Sequence, residues 1–145
     1  MSATSGIYNL GDEAITAALT NSVITDGVST QGVAQGFIDG LDWMAAVTLF
    51  ANFTYGSGGT TCAAIIQTSL DGTNWIDIAR FDFTTSSAAK RCNLSGLTPV
   101  AVAAVAALSA EGVTDGILGD RLRAKITSTG TYAGNTSISL RSSVR

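Results

Sequence analysis

Within the heptapeptide SLDGTNW, Ser69 to Trp75, a hydroxyl, a carboxylate, a glycine and an indole crowd into seven positions. Residues of these types could line a sugar-binding or catalytic loop, or they could build a tight corner between two strands. An Asp-Gly pair favours the corner, because both residues tolerate positive φ and the carboxylate can accept hydrogen bonds from amides two residues on. Ser69, Asp71, Gly72 and Trp75 are therefore expected to form a structural turn, with Trp75 packed against the hairpin or standing at its rim.

The remaining chemistry is sparse. The chain has no histidine, so the commonest general base and metal ligand are missing, and an enzyme would have to rely on carboxylates, hydroxyls or a thiol. Glycoside hydrolysis needs two acids facing across a cleft. Asp71, Asp77, Asp82, Asp115 and Asp120 are available, but four of them fall in or beside turns or on expected outer faces. No D-x-D-x-D spacing suggests a calcium loop. Neither catalysis, a cofactor nor a metal is expected. Trp43, Trp75, Tyr55 and Tyr132 could make a sugar-stacking platform, yet the chain has only ten aromatics and several fall at inward phase, which favours core packing. Cys62 and Cys92 are neither a CxxC pair nor part of a ligand cluster. Two small buried apolar side chains is the preferred reading, with a disulfide or a cross-link between subunits as the alternative. The sequons at Asn52, Asn93 and Asn135 matter only in a secreted eukaryotic protein.

The elements that would position these residues are strands. Val47, Leu49, Ala51 and Phe53 alternate with polar neighbours; YGSGGT then turns the chain, Cys62, Ala64 and Ile66 alternate again, and SLDGTNW turns it once more. Beyond that corner, Ile76 and Ile78 share one face while Phe81 and Phe83 fall on the other, which predicts a β-bulge near Ala79 and Arg80. RLRAKIT places Leu122, Ala124 and Ile126 inward and the basic stripe Arg121, Arg123 and Lys125 outward; TSISLR repeats the scheme with Ile138 and Leu140. AITAALTNSVITDG and STQGVAQGFIDG read as a strand or two separated at Asp26-Gly27. Residues 1–14 lack a clear period and read as an extended N-terminal arm, ahead of a single domain over 15–145. Pro99 to Leu108 is an apolar run about half the length of a membrane-spanning helix, expected to be a loop with room for a short helical turn. About seven to nine short strands with turns every ten or so residues predict an all-β, antiparallel β-sandwich, of which the jelly roll is one arrangement.

Charged residues are 13% of the chain, roughly half the usual share. All eight bases lie beyond position 79, so residues 1–79 carry −7 and residues 80–145, with eight bases and four acids, carry +4. Such a chain satisfies its charge by interleaving its halves or by contact between copies. The basic stripe is correspondingly either a solvated outer face or a subunit contact. An acidic chain whose bases are not interleaved with aromatics does not predict nucleic-acid binding. The N-terminus has no basic and apolar leader pattern, and no segment is long and apolar enough to span a membrane as a helix, so neither export by a cleaved signal nor a membrane partner is expected.

SLDGTNW also resembles the Asp-box hairpin of sialidases and related propellers, S-x-D-x-G-x-T-W. It lacks the residue between Asp71 and Gly72 and occurs once, and in those families the hairpin is a structural corner. Over a longer span, LDWMAAVTLFANFTYGSGGTTCAAIIQTSLDGTNWIDIARFDFTT, then NLSGLTPV, then DGILGDRLRAKITSTGTYAGNTSISLR resemble small virion structural proteins of tailed bacteriophages and prophages. The likeness runs from about Leu41 to Arg141 and lies in hairpin and turn phrases. It implies a head-decoration, cement or linking subunit, or one in the neck or tail, with a β-sandwich body and no active site. By the same likeness, its partners would be a major capsid protein or other virion proteins. The expected assembly is a homo-oligomer, by analogy a trimer, located in the virion after synthesis in the host cytoplasm. A carbohydrate-binding module is the alternative.

Overall fold

The strict apolar-polar alternation marks out the long strands, and a computed structural model of the chain shows how they pair. It describes residues 5–25, 27–28 and 34–145. In chain order the strands are β1 Gly6–Ala14, β2 Ser22–Val23, β3 Gly27–Val28, β4 Ala34–Gln35, β5 Ala46–Thr54, β6 Ser57–Gly58 and β7 Thr61–Ser69. They continue as β8 Trp75–Phe83, β9 Ala88–Ser95, β10 Gly112–Val113, β11 Arg121–Thr129, β12 Tyr132–Ala133 and β13 Ser137–Val144. Two antiparallel sheets make the sandwich, ordered β1-β13-β5-β9 and β10-β8-β7-β11-β2; β6 with β12 and β3 with β4 form small ribbons.

That order has a simple origin. β1 pairs with β13, β2 with β11, β5 with β9 and β7 with β8, as in one long antiparallel ribbon folded at its middle. Rolling the ribbon brings β13 beside β5 and β11 beside β7, which closes both sheets. This is the jelly-roll arrangement, two Greek keys in two layers.

Between the layers lies one continuous apolar core. From the four-stranded sheet it takes Val47, Leu49, Ala51, Phe53, Ile138 and Leu140; from the other it takes Ala64, Ile66, Phe81, Phe83, Leu122, Ala124 and Ile126. Phe53 stacks on Phe83 at 5.0 Å and meets Tyr132 edge-on at 5.8 Å, tying both sheets to the β12 turn. The Tyr132 hydroxyl donates to the Thr84 carbonyl at 2.7 Å, so the one polar atom of that buried ring is satisfied.

Two bulges account for the segments where the period breaks. In β8, Asp77 pairs with Gln67 and Ala79 with Ile66, leaving Ile78 as the extra residue. The phase change predicted near Ala79 and Arg80 thus occurs just before them, and it lets Ile78, Ala79, Phe81 and Phe83 all enter the core. In β1, Asn9 pairs with Arg141 and Gly11 with Leu140, so Leu10 is extra. The Asn9 carboxamide accepts from the Gly11 amide at 2.8 Å, and Gly11 takes φ 122°. Here the structure corrects the expected arm: residues 6–14 are an edge strand of the sandwich, and the bulge at Leu10 hides the alternation. Residues 1–4 and Asp26, of the Asp26-Gly27 break, lie outside the described residues. The run from Pro99 to Leu108 contains no helical turn.

Candidate functional site

At the 69–74 corner the local chemistry is closed on itself. The Asp71 carboxylate accepts from the Thr73 amide at 2.8 Å, the Asn74 amide at 2.7 Å and the Asn74 side-chain amide at 2.7 Å. The Ser69 hydroxyl accepts from the Gly72 amide at 2.8 Å. Gly72 sits at φ 80°, and a Cβ there would collide with the Arg121 guanidinium. These bonds, the Asn74 amide foremost, hold the Asp71 carboxyl well below the usual aspartate range of 3.8. The hydrogen bonds that hold the carboxylate all come from its own turn.

The corner and the basic stripe, read separately in the sequence, meet on the outer face of the five-stranded sheet. Ile38 bridges to Leu122 beside β11, which brings Phe37 to the corner. Arg121 lies over the Phe37 ring at 5.7 Å and forms an ion pair with Asp120 at 3.0 Å. Phe37 tilts against Trp75 at 5.9 Å, and Arg123 covers the Trp75 ring at 4.2 Å. Alternate arginines and rings therefore stack along the surface, each cation against a π-face. All three basic residues are half-buried. Lys125 stands farther along β11, paired across the ladder with Ile65 and Val23.

Beside that stack runs a buried polar chain that the sequence reading missed. Arg123 donates to Gln67 at 2.7 Å, Gln67 donates to Asp77 at 2.7 Å, and the second Asp77 oxygen accepts from the Leu108 amide at 2.9 Å. Arg80 reaches the Leu108 carbonyl at 2.9 Å. Gln67 and Asp77 are buried, and each of their polar side-chain atoms has a hydrogen-bond partner. The only sequence clue was that both face outward on strands whose outer neighbours include Ile65.

What this chain holds in place is the segment 97–107. Every residue in it is exposed, with Leu97 77%, Val102 fully and Val105 69% exposed. Among the described residues, no backbone group of 99–107 bonds to another backbone group. The segment is nonetheless fixed at both ends. Thr98 bonds Asp115, which also accepts from the Ser95 amide at 2.7 Å, and Gly116 packs so closely on Thr98 and Val100 that a Cβ would not fit. At the far end stand Asp77 and Arg80. Between the segment and β8 lies a cavity of about 340 Å³ lined by Ile76, Val100, Val105, Leu108 and Ile117. The product is an apolar ridge pinned above the sheet.

The other candidate residues are dispersed. Both cysteines are free thiols on strands of opposite sheets, so no disulfide joins them. Burial pushes the Cys62 thiol up to about 12 and Cys92 to about 11, which keeps both protonated and poorly nucleophilic. Asp82 pairs with Arg80 at 2.8 Å. Tyr132 is buried and Tyr55 packs edge-on against it at 6.1 Å; Trp43 is half-buried, with its ring nitrogen sealed and lacking a hydrogen-bond partner. The four rings considered as a sugar platform do not share one open face. Comparison of the chain with known protein families and with curated proteins finds no match.

Proposed function

We propose that this chain is a non-enzymatic structural subunit of a tailed-phage or prophage particle, a decoration, cement or linking protein that works by burying its surface against copies and capsid neighbours. The observation that carries the reading is the pinned ridge 97–107. Four large apolar side chains, Leu97, Val100, Val102 and Val105, are more than half exposed on a segment fixed at both ends. A contiguous exposed apolar patch marks a contact surface, and a segment fixed before contact loses little entropy on docking. The resemblance in hairpin and turn phrases supplies the class of particle, and the jelly roll is a fold shared by viral capsid domains and lectins alike. A carbohydrate-binding module gains less support, since Arg123 already covers the Trp75 ring and Tyr132 lies in the core.

The test is cosedimentation of the purified protein with particles of the encoding phage or prophage prepared without it. Saturable binding at a fixed ratio to capsid subunits is expected. No binding, together with retention on a glycan array, would reject the decoration role in favour of the lectin-like one.

A further inference from the structure

The ridge, which leaves the edge strand β9, has a counterpart on the sheet to which β9 belongs. The outer face of the four-stranded sheet is built of short side chains: Thr48, Asn52, Ser139 and Ser143 stand there in paired register. From this flat surface rise Ile7, 71% exposed, and Phe50, 44% exposed. Phe50 is paired across the ladder with Arg91 on one side and Arg141 on the other, so an arginine flanks the ring on each side. Arg141 also bonds Asp12 at 2.9 Å, leaving the row with two arginines against one aspartate. The ridge is the reverse. It holds no charge from Leu97 to Ala110; Asp115 stands at one end on Thr98, and at the other Glu111 is shared with Lys90 at 2.6 Å and Arg80 bonds the Leu108 carbonyl.

We propose that the ridge 97–107 of one copy docks on the Phe50 face of a second copy, apolar residues together and the Asp115 end of the ridge toward Arg91 and Arg141. Charge decides the geometry. Asp115 stands at one end of the ridge and arginines flank Phe50, so ridge on face matches acid with base. Because the ridge and the Phe50 face are two different patches of one chain, the contact is heterologous, and its repetition builds a ring or an open row. This names a partner for the ridge and rests on the structural-subunit reading above. The two remain separable, since particle binding without self-association would sink this proposal alone, and self-association without particle binding would sink only the other.

The experiment measures the native mass of the full chain against concentration by sedimentation equilibrium, for the wild type and for Val102→Asp and Phe50→Asp. Both sites are exposed, and thermal melts confirm that each variant folds. The wild type should associate, less so at high salt, and each variant should weaken association by roughly tenfold or more. The decisive sample is the mixture of the two variants. Val102→Asp keeps an intact face and Phe50→Asp an intact ridge, so the mixture should form a 1:1 heterodimer and stop there. A wild type that stays monomeric, a Phe50→Asp that associates normally, or a mixture that fails to pair would each overturn the proposal. An association broken only by Val102→Asp would indicate a ridge-to-ridge contact or a different partner for the ridge.

Discussion

At the scale of single residues, Asp71 shows how a group of catalytic type becomes an architectural one. Its oxygens cap the amides of Thr73 and Asn74, and the exposed carboxylate is stabilised as an anion by those donors. A folded-state pKa below the unfolded value adds stability that is present above about pH 4 and lost as the pH falls through the folded pKa. Asp71→Asn should therefore melt earlier than the wild type at pH 7, and the gap should narrow as the pH drops below 4. Thermal melts from pH 7 to pH 2 would show it. Some acid sensitivity should survive in the variant, because Asp12, Glu111 and Asp115 are also held low by their partners. Parallel curves for the two proteins would mean that the turn does not depend on the charge.

At the scale of elements, the ridge depends on a strand it is not part of. Asp77 of β8 accepts from Gln67 and from the Leu108 amide, and it is buried. Asp77→Ala would leave both donors without an acceptor, at a cost of roughly 1–3 kcal/mol for each buried orphan. It should also free the far end of the ridge. Limited proteolysis should then cut between residues 97 and 108 faster than in the wild type, with the melting point lowered; an unchanged cleavage rate would show that the Thr98–Asp115 end alone holds the segment. β1 teaches a related lesson. One extra residue, Leu10, lets the strand run along β13 while its polar and apolar positions exchange phase midway.

At the scale of the whole molecule, nearly all structure is long-range: the first long strand pairs with the last, and the ribbon closes only when both halves are present. The two layers are therefore expected to unfold together. Phe53 is the residue where this can be tested, since it is fully buried and touches Phe83 of the other sheet and Tyr132 of the β12 turn. Phe53→Ala should cost about 3–5 kcal/mol, and tryptophan fluorescence and circular dichroism should report one shared, lowered denaturation midpoint. Separate midpoints for the two probes would show that the sheets are independent.

The sequence by itself determined the fold class, because period-two alternation in strands such as β5, β11 and β13 dictates which residues face a common core, and glycine-rich corners dictate where the chain reverses. It also pointed to Asp71 as a turn residue, since its bonds reach no farther than three positions. Other features were decided only by the tertiary structure. Strand order, the joining of the SLDGTNW corner to Arg121 and Arg123 through Phe37, the Arg123–Gln67–Asp77 chain under Leu108, and the arginines on both sides of Phe50 all bring together residues from separate strands. Local pattern fixes what each strand exposes on its two faces; which strands lie side by side is fixed by how the ribbon rolls. The surfaces offered here for contact, the ridge and the Phe50 face, come into being at that second step.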